Sequence, residues 1–252
     1  MTVANGAWVF SPLVASLILD GGNDYFKIFW VACLLLIPAA LTLKSKMKSF
    51  DDSKYTAHSL WKTFREVRKS RDLTLIFFIS FLLQFFYAWM VIYTPIFLHD
   101  HLGFSWSQIG VIFSIMLVPF ILIELPLGRL ADSRWGEKEA LAVGFIVIAI
   151  STASMSFIGN TSVFVWATVL FLTRVGASMV EIMSETYFFK KVTTENANII
   201  SGFRTMRPLA YIASPIIGSA VLLFAPFQEL FAILGAIIFV GFFASLKVKD
   251  TR

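Results

Sequence analysis

Eight apolar stretches separated by polar turns leave this chain few folds to choose from. They run at about 4–20, 26–43, 73–98, 107–127, 139–158, 163–189, 198–224 and 228–246. Most reach the roughly 20 residues that a helix needs to cross a bilayer core. The connections between them are sorted by charge. Segments 44–72, 128–138, 190–191 and 247–252 hold 17 of the 21 Lys and Arg residues, while 20–25, 99–106, 159–162 and 225–227 hold none. By the positive-inside rule the basic connections and both termini are cytoplasmic, which an even number of spans requires. The expectation is an all-α, multi-pass integral protein of the plasma membrane with about eight transmembrane helices, whose first partner is the lipid bilayer.

Composition supports this where it bears on the alternatives. With 58% hydrophobic residues and 27 Phe, the chain is not a soluble domain. Its net charge of +5 collects on one side of the spans, which points away from a nucleic-acid partner. Cys33 stands alone, excluding an intramolecular disulfide and a thiolate metal cluster, and no cofactor is expected. No Lys or Arg precedes Lys27 and Pro12 interrupts the first apolar run, which argues against a cleaved signal peptide.

The two ends of the chain repeat each other. Ala7–Ser16 (Ala-Trp-Val-Phe-Ser-Pro-Leu-Val-Ala-Ser) matches Ala210–Ser219 (Ala-Tyr-Ile-Ala-Ser-Pro-Ile-Ile-Gly-Ser) at an offset of 203 residues. Leu43–Lys46 matches Leu246–Lys249 at the same offset. Ala7, Ser11 and Pro12, with Ala210, Ser214, Pro215 and Gly218, form a helix-packing motif, since small residues let backbones approach closely in a membrane. Parallel repeats of this kind mark secondary transporters. The division that follows is a helix pair at 1–43, a basic linker at 44–72 and a six-helix bundle at 73–252. Within the linker, Leu60, Trp61, Phe64 and Val67 share one helical face, with Lys62, Arg65, Arg68 and Lys69 on the others. That pattern predicts a short amphipathic helix on the inner leaflet.

Charges inside the spans are the candidate machinery. Arg174, Ser178, Glu181 and Glu185 recur at helical spacing on one stripe of the sixth span, and a charge near the midplane costs about 2.5–3.5 kcal/mol or more. The stripe therefore faces protein or a cavity. Arg204 and Arg207 return on the seventh span, and folding the hairpin about residue 193 pairs Glu181 with Arg204. These five charges are candidates for gating or for coupling, with H+ as the expected ion. Arg174 is the candidate contact for an anionic substrate group or a proton-relay carboxylate. Gln84 and Tyr87 share a face of the third span and join it as candidate substrate contacts. His99-Asp100-His101 reads as an outer loop, because three adjacent residues converge poorly on one ion; no metal is expected. Ser105 or Ser107 caps the next helix.

After the fourth span comes a charged turn: Glu124-Leu125-Pro126-Leu127-Gly128-Arg129-Leu130-Ala131-Asp132-Ser133-Arg134-Trp135-Gly136-Glu137-Lys138. Gly128 permits close helix approach, and Gly136 breaks the backbone at the turn. Gly-x-Leu-Ala-Asp followed by Gly-Glu-Lys resembles the loop signature of the major facilitator superfamily, found between the second and third helices of each six-helix half. Where that family has Asp-Arg-x-Gly this chain is one residue longer, which moves the arginine's role to Arg134. The resemblance implies an MFS-like fold: the last two helices of an N-terminal half, then a complete C-terminal half. It also implies that four further helices, about 130 residues, precede Met1 and are required. Glu124, Gly128, Asp132, Arg134, Gly136 and Lys138 would then form a cytoplasmic latch with Glu181, Glu185 and Arg204.

The function so implied is secondary active transport of a small solute by alternating access, coupled to protons, and not an enzymatic activity. The alternative from another class is an integral-membrane enzyme acting on lipid or lipid-linked substrate. Its only candidate groups are His99, Asp100, His101, Glu181 and Glu185, and their spacing suggests no catalytic arrangement.

Overall fold

The computed structural model describes residues 2–19, 26–46, 60–123, 136–159, 161–192 and 196–249. Among these residues the structure is all helical: α1 (Thr2–Leu19), α2 (Phe26–Lys46), α3 (Leu60–Val67), α4 (Arg71–Ile96), α5 (Trp106–Leu122), α6 (Glu137–Ser154), α7 (Val163–Lys191), α8 (Ala197–Leu222) and α9 (Glu229–Ser245). Except for the amphipathic α3, each helix falls on one of the eight apolar stretches. Four segments, Phe26–Ser45, Arg71–His101, Glu137–Phe157 and Val163–Lys191, are long and apolar enough to cross a membrane. α2 is apolar along most of its length and largely exposed.

α4 is the centre of the bundle. Its Ile76, Ile79, Phe86, Ala88 and Trp89 are fully buried, and it packs on α7, α8, α9 and α3. α6 lies between α7 and α9, while α5 joins α7 to α1. Close approach sets the α6–α7 crossing. A Cβ on Gly176 would sit 2.7 Å from the Gly144 carbonyl oxygen and 2.9 Å from the Ile148 backbone nitrogen, so only a residue without one fits. Local signals fix the helix starts. Ser105 forms a capping box with Gln108, its backbone N–H donating to Gln108 Oε1 at 2.9 Å, and Ser70 caps α4.

Several expectations need correction. α4 does not end before His99 but runs on into a wide π turn over Phe97–His101. Pro95 has no N–H to donate, which loosens the preceding ladder. His99 stacks on Trp106 at 4.3 Å and His101 lies 4.6 Å from the Phe227 ring, while Asp100 and His101 stay exposed. Gly136 adopts an ordinary extended conformation (φ −66°, ψ 152°) as N-cap of α6. The left-handed residue is instead Gly103, at φ +72°. α3 also packs on the bundle: Thr63 and Val67 are buried, and Thr63 seats against Gly202 of α8, while Trp61 stays exposed.

The last correction concerns the repeated helices, which use different faces. α8 buries Ala210, Ser214 and Gly218, with Gly218 against the Tyr93 ring of α4. The Tyr93 hydroxyl donates to the Pro215 carbonyl at 3.1 Å. In α1 the matching Ala7 and Ser11 are exposed, and that helix leans on α5 through Pro12 and Ser16, which meet Gly110. The reason is what each small face meets: a packed neighbour in α8, a cavity in α1.

Candidate functional site

A cavity of about 420 Å³ lies between α1, α4, α5, α7 and α8. Aromatic and thioether side chains supply much of its wall: Trp8, Tyr87, Phe113, Phe120 and Tyr211, with Met90 and Met116. Polar groups enter from four helices, namely Ser11 on α1, Gln84 and Tyr87 on α4, Arg174 and Glu181 on α7, and Arg207 and Tyr211 on α8. Few polar groups in an apolar concavity of this size is the usual composition of a small-molecule site.

Arg174 is the unusual member. It lies eleven residues into α7, about 16 Å along the axis, and is only 3% exposed. Its guanidinium carbon sits 5.2 Å from the Phe86 ring centroid and 5.1 Å from that of Tyr87. Nε and Nη1 have no hydrogen-bond partner, and no carboxylate pairs with Arg174 among the described residues. A cation–π contact returns roughly 2 kcal/mol when desolvated. A buried donor left unmade costs about 1–3 kcal/mol, more for a charged group, on top of the insertion cost. The rings alone do not offset this, so the charge is held at a net cost.

Beside it, the Tyr87 hydroxyl donates to Glu181 Oε2 at 2.9 Å, tying α4 to α7. Glu181, Gln84 and Arg207 also line a second pocket of about 130 Å³, which contains Ser80, Ser184, Glu185 and Arg204. These three residues thus stand as a partition between the central cavity and a smaller chamber toward the basic end. Arg207 lies 5.8 Å from the Trp8 ring and 5.7 Å from the Tyr211 ring, bridging α8 to α1.

The pairing across the α7–α8 hairpin is not the one expected. Arg204 donates to Glu185 at 2.8 Å, while Glu181 is bound by Tyr87. Position 185 opposite 204 puts the mirror line between 194 and 195 rather than at 193, and that small slip re-aims the carboxylates. Phe188 and Phe203 stack at 4.0 Å just beyond, with Phe77 edge-on to both, and close that end of the bundle.

Glu124, Gly128, Asp132 and Arg134 lie outside the described residues; Gly136 and Lys138 open α6. The ion pairs seen near them involve residues that received no role from sequence. Glu137, only 2% exposed, accepts from Lys190 at 2.7 Å, and Asp72 accepts from Lys191 at 3.1 Å. Both acids occupy the first turn of a helix, where the macrodipole favours negative charge, so the end of α7 clamps the starts of α6 and α4. Two adjacent lysines closing an apolar span, with an acid in the first turn of two others, were the available signal.

Helices of membrane length packed around a cavity with buried charges define a multi-pass membrane protein. The model of the Major Facilitator Superfamily matches residues 1–207, and the chain belongs to that family. It is therefore a protein of membrane solute transport. No curated protein matches the chain.

Proposed function

We propose that the chain is part of a secondary active transporter that carries a small solute by alternating access, coupled to protons. The observation behind this is the 420 Å³ cavity holding Arg174 beside the Tyr87–Glu181 hydrogen bond. In this reading solute occupies the aromatic chamber, with Gln84, Tyr87 and Arg174 as its polar contacts. Glu181 takes up and releases the coupling proton, and Tyr87 reports that exchange to α4. The Glu185–Arg204 pair, the 124–138 turn and the α7 clamp act as a latch whose breaking and re-forming gives the two packings their different stabilities. The helix pair 1–43 belongs to an N-terminal half whose other helices complete the cavity, and the six helices from 73 onward form the C-terminal half. The basic connections and both termini face the cytoplasm, in the cytoplasmic membrane.

The test is flux into proteoliposomes holding a pH gradient, with a panel of amino acids, sugars and organic acids as solutes. Glu181→Gln should abolish accumulation driven by the gradient yet leave solute exchange at equal pH within about threefold, since removing a coupling proton site need not remove the solute site. Loss of both activities together removes Glu181 from coupling. Absence of flux for every solute removes transport.

A further inference from the structure

We infer that the cavity selects an organic monoanion: one carboxylate on a compact, ring-bearing apolar body. This rests on the reading of the cavity as the solute site and narrows it to a chemical class. Three observations carry it.

The first is the state of Arg174. Two of its guanidinium nitrogens are buried with no hydrogen-bond partner among the described residues, and the residue lines the cavity. A guanidinium cannot shed its proton to escape burial as a lysine can, so the site keeps a fixed positive charge. An anionic oxygen is the ligand group that matches such donors most strongly.

The second is the balance of charge around the chamber. Among its described lining residues are two guanidiniums, Arg174 and Arg207, and one carboxylate, Glu181. Glu181 already accepts from Tyr87, and Arg207 is engaged by the faces of Trp8 and Tyr211. With Glu181 ionised, the three charged groups of the chamber sum to one net positive charge. A monoanion balances it, and a cation would be repelled.

The third is the wall. Trp8, Phe113, Phe120, Tyr211, Met90 and Met116 offer flat and polarizable surfaces, with few hydrogen-bonding groups among them. An aromatic or branched hydrocarbon body fits, stacking on rings while its carboxylate reaches Arg174.

The experiment is calorimetric binding to the detergent-solubilised full chain, using 2-naphthoate, its isosteric amide 2-naphthamide, and octanoate. Naphthoate should bind about 10- to 100-fold more tightly than the amide, the range for one buried charge-assisted contact. Arg174→Gln should erase that preference while naphthamide affinity holds. Arg174→Lys, whose amine can be protonated when a carboxylate is seated beside it, should retain part of it and serves as the control for a folding defect. Equal binding of acid and amide by the native chain, acid preference surviving in Arg174→Gln, or no binding of either acid would each overturn the inference. Flux measurement separates it from the broader reading. Naphthoate bound through Arg174 but never moved across a vesicle would leave the anion site standing and remove transport. Flux of a sugar or a cation indifferent to Arg174 would do the reverse.

Discussion

Glu137 illustrates how much one side chain's surroundings decide. Its carboxylate is buried at 2% exposure, sits in the first turn of α6 and accepts from Lys190, whose own side chain is 41% exposed. Removing the acid leaves a lysine that can return to water, so the loss is smaller than for a fully enclosed pair: about 1–2 kcal/mol for Glu137→Gln. The neighbouring Lys191–Asp72 bridge has both partners more open to solvent than Glu137, and Lys191→Gln should cost no more than about 0.5 kcal/mol. Thermal unfolding in detergent should therefore rank Glu137→Gln clearly below Lys191→Gln. Equal melting temperatures would mean that the buried carboxylate gains nothing from its setting. The same scale shows what spacing alone can and cannot give. The stripe Arg174, Ser178, Glu181, Glu185 is legible because a single helix fixes the angle between its own residues. Which of those acids meets Arg204 is not legible, because a shift of one or two positions between antiparallel helices exchanges the partners.

At the scale of elements, the apolar lengths and turn residues locate every long helix to within a few positions. The faces those helices use are harder to read, since most are apolar all round and give a weak periodic signal. Glycines are the better guide, and the α6–α7 crossing shows why. The atoms that a Cβ on Gly176 would meet are the Gly144 carbonyl and the Ile148 backbone, neither of which can rotate away. Gly176→Ala must part the two helices, with a destabilisation of about 1–3 kcal/mol as for other overpacked cores. Gly159→Ala meets nothing within 4 Å and is the matched control. Size-exclusion profiles and melting curves in detergent test this directly. A Gly176→Ala protein as stable as the control would show that the crossing has slack that the geometry denies. The repeated Ser-Pro helices teach the complementary lesson. Identical small residues at 7, 11, 210 and 214 mark a shared ancestry of pattern, yet only α8 buries them, because a face is buried by its neighbour and not by its own sequence.

For the whole molecule, the question that sequence and packing address together is which way the bundle lies in the bilayer. α3, the starts of α4, α6 and α8, and the end of α7 share one end, where Arg68, Lys69, Lys190 and Lys191 gather around the two ion pairs. The opposite end holds the His99–Trp106 stack and the connection 159–162, with no Lys or Arg in it. Helix packing cannot break this symmetry, since the same contacts form whichever end faces inward. Charge does so during insertion, through the cost of carrying Lys and Arg across. Cys33 is the sole native thiol, so replacing it by serine gives a clean background for reporter cysteines. In intact cells, Thr161→Cys should react with a membrane-impermeant maleimide, and Lys69→Cys should react only after the membrane is permeabilised. Both positions are exposed, so accessibility in the fold is not the variable. The reverse pattern would put the smaller chamber, with Glu185 and Arg204, on the outside. The partition of Glu181, Gln84 and Arg207 would then separate the solute cavity from the exterior, and the proposed latch would have to be read as an external gate.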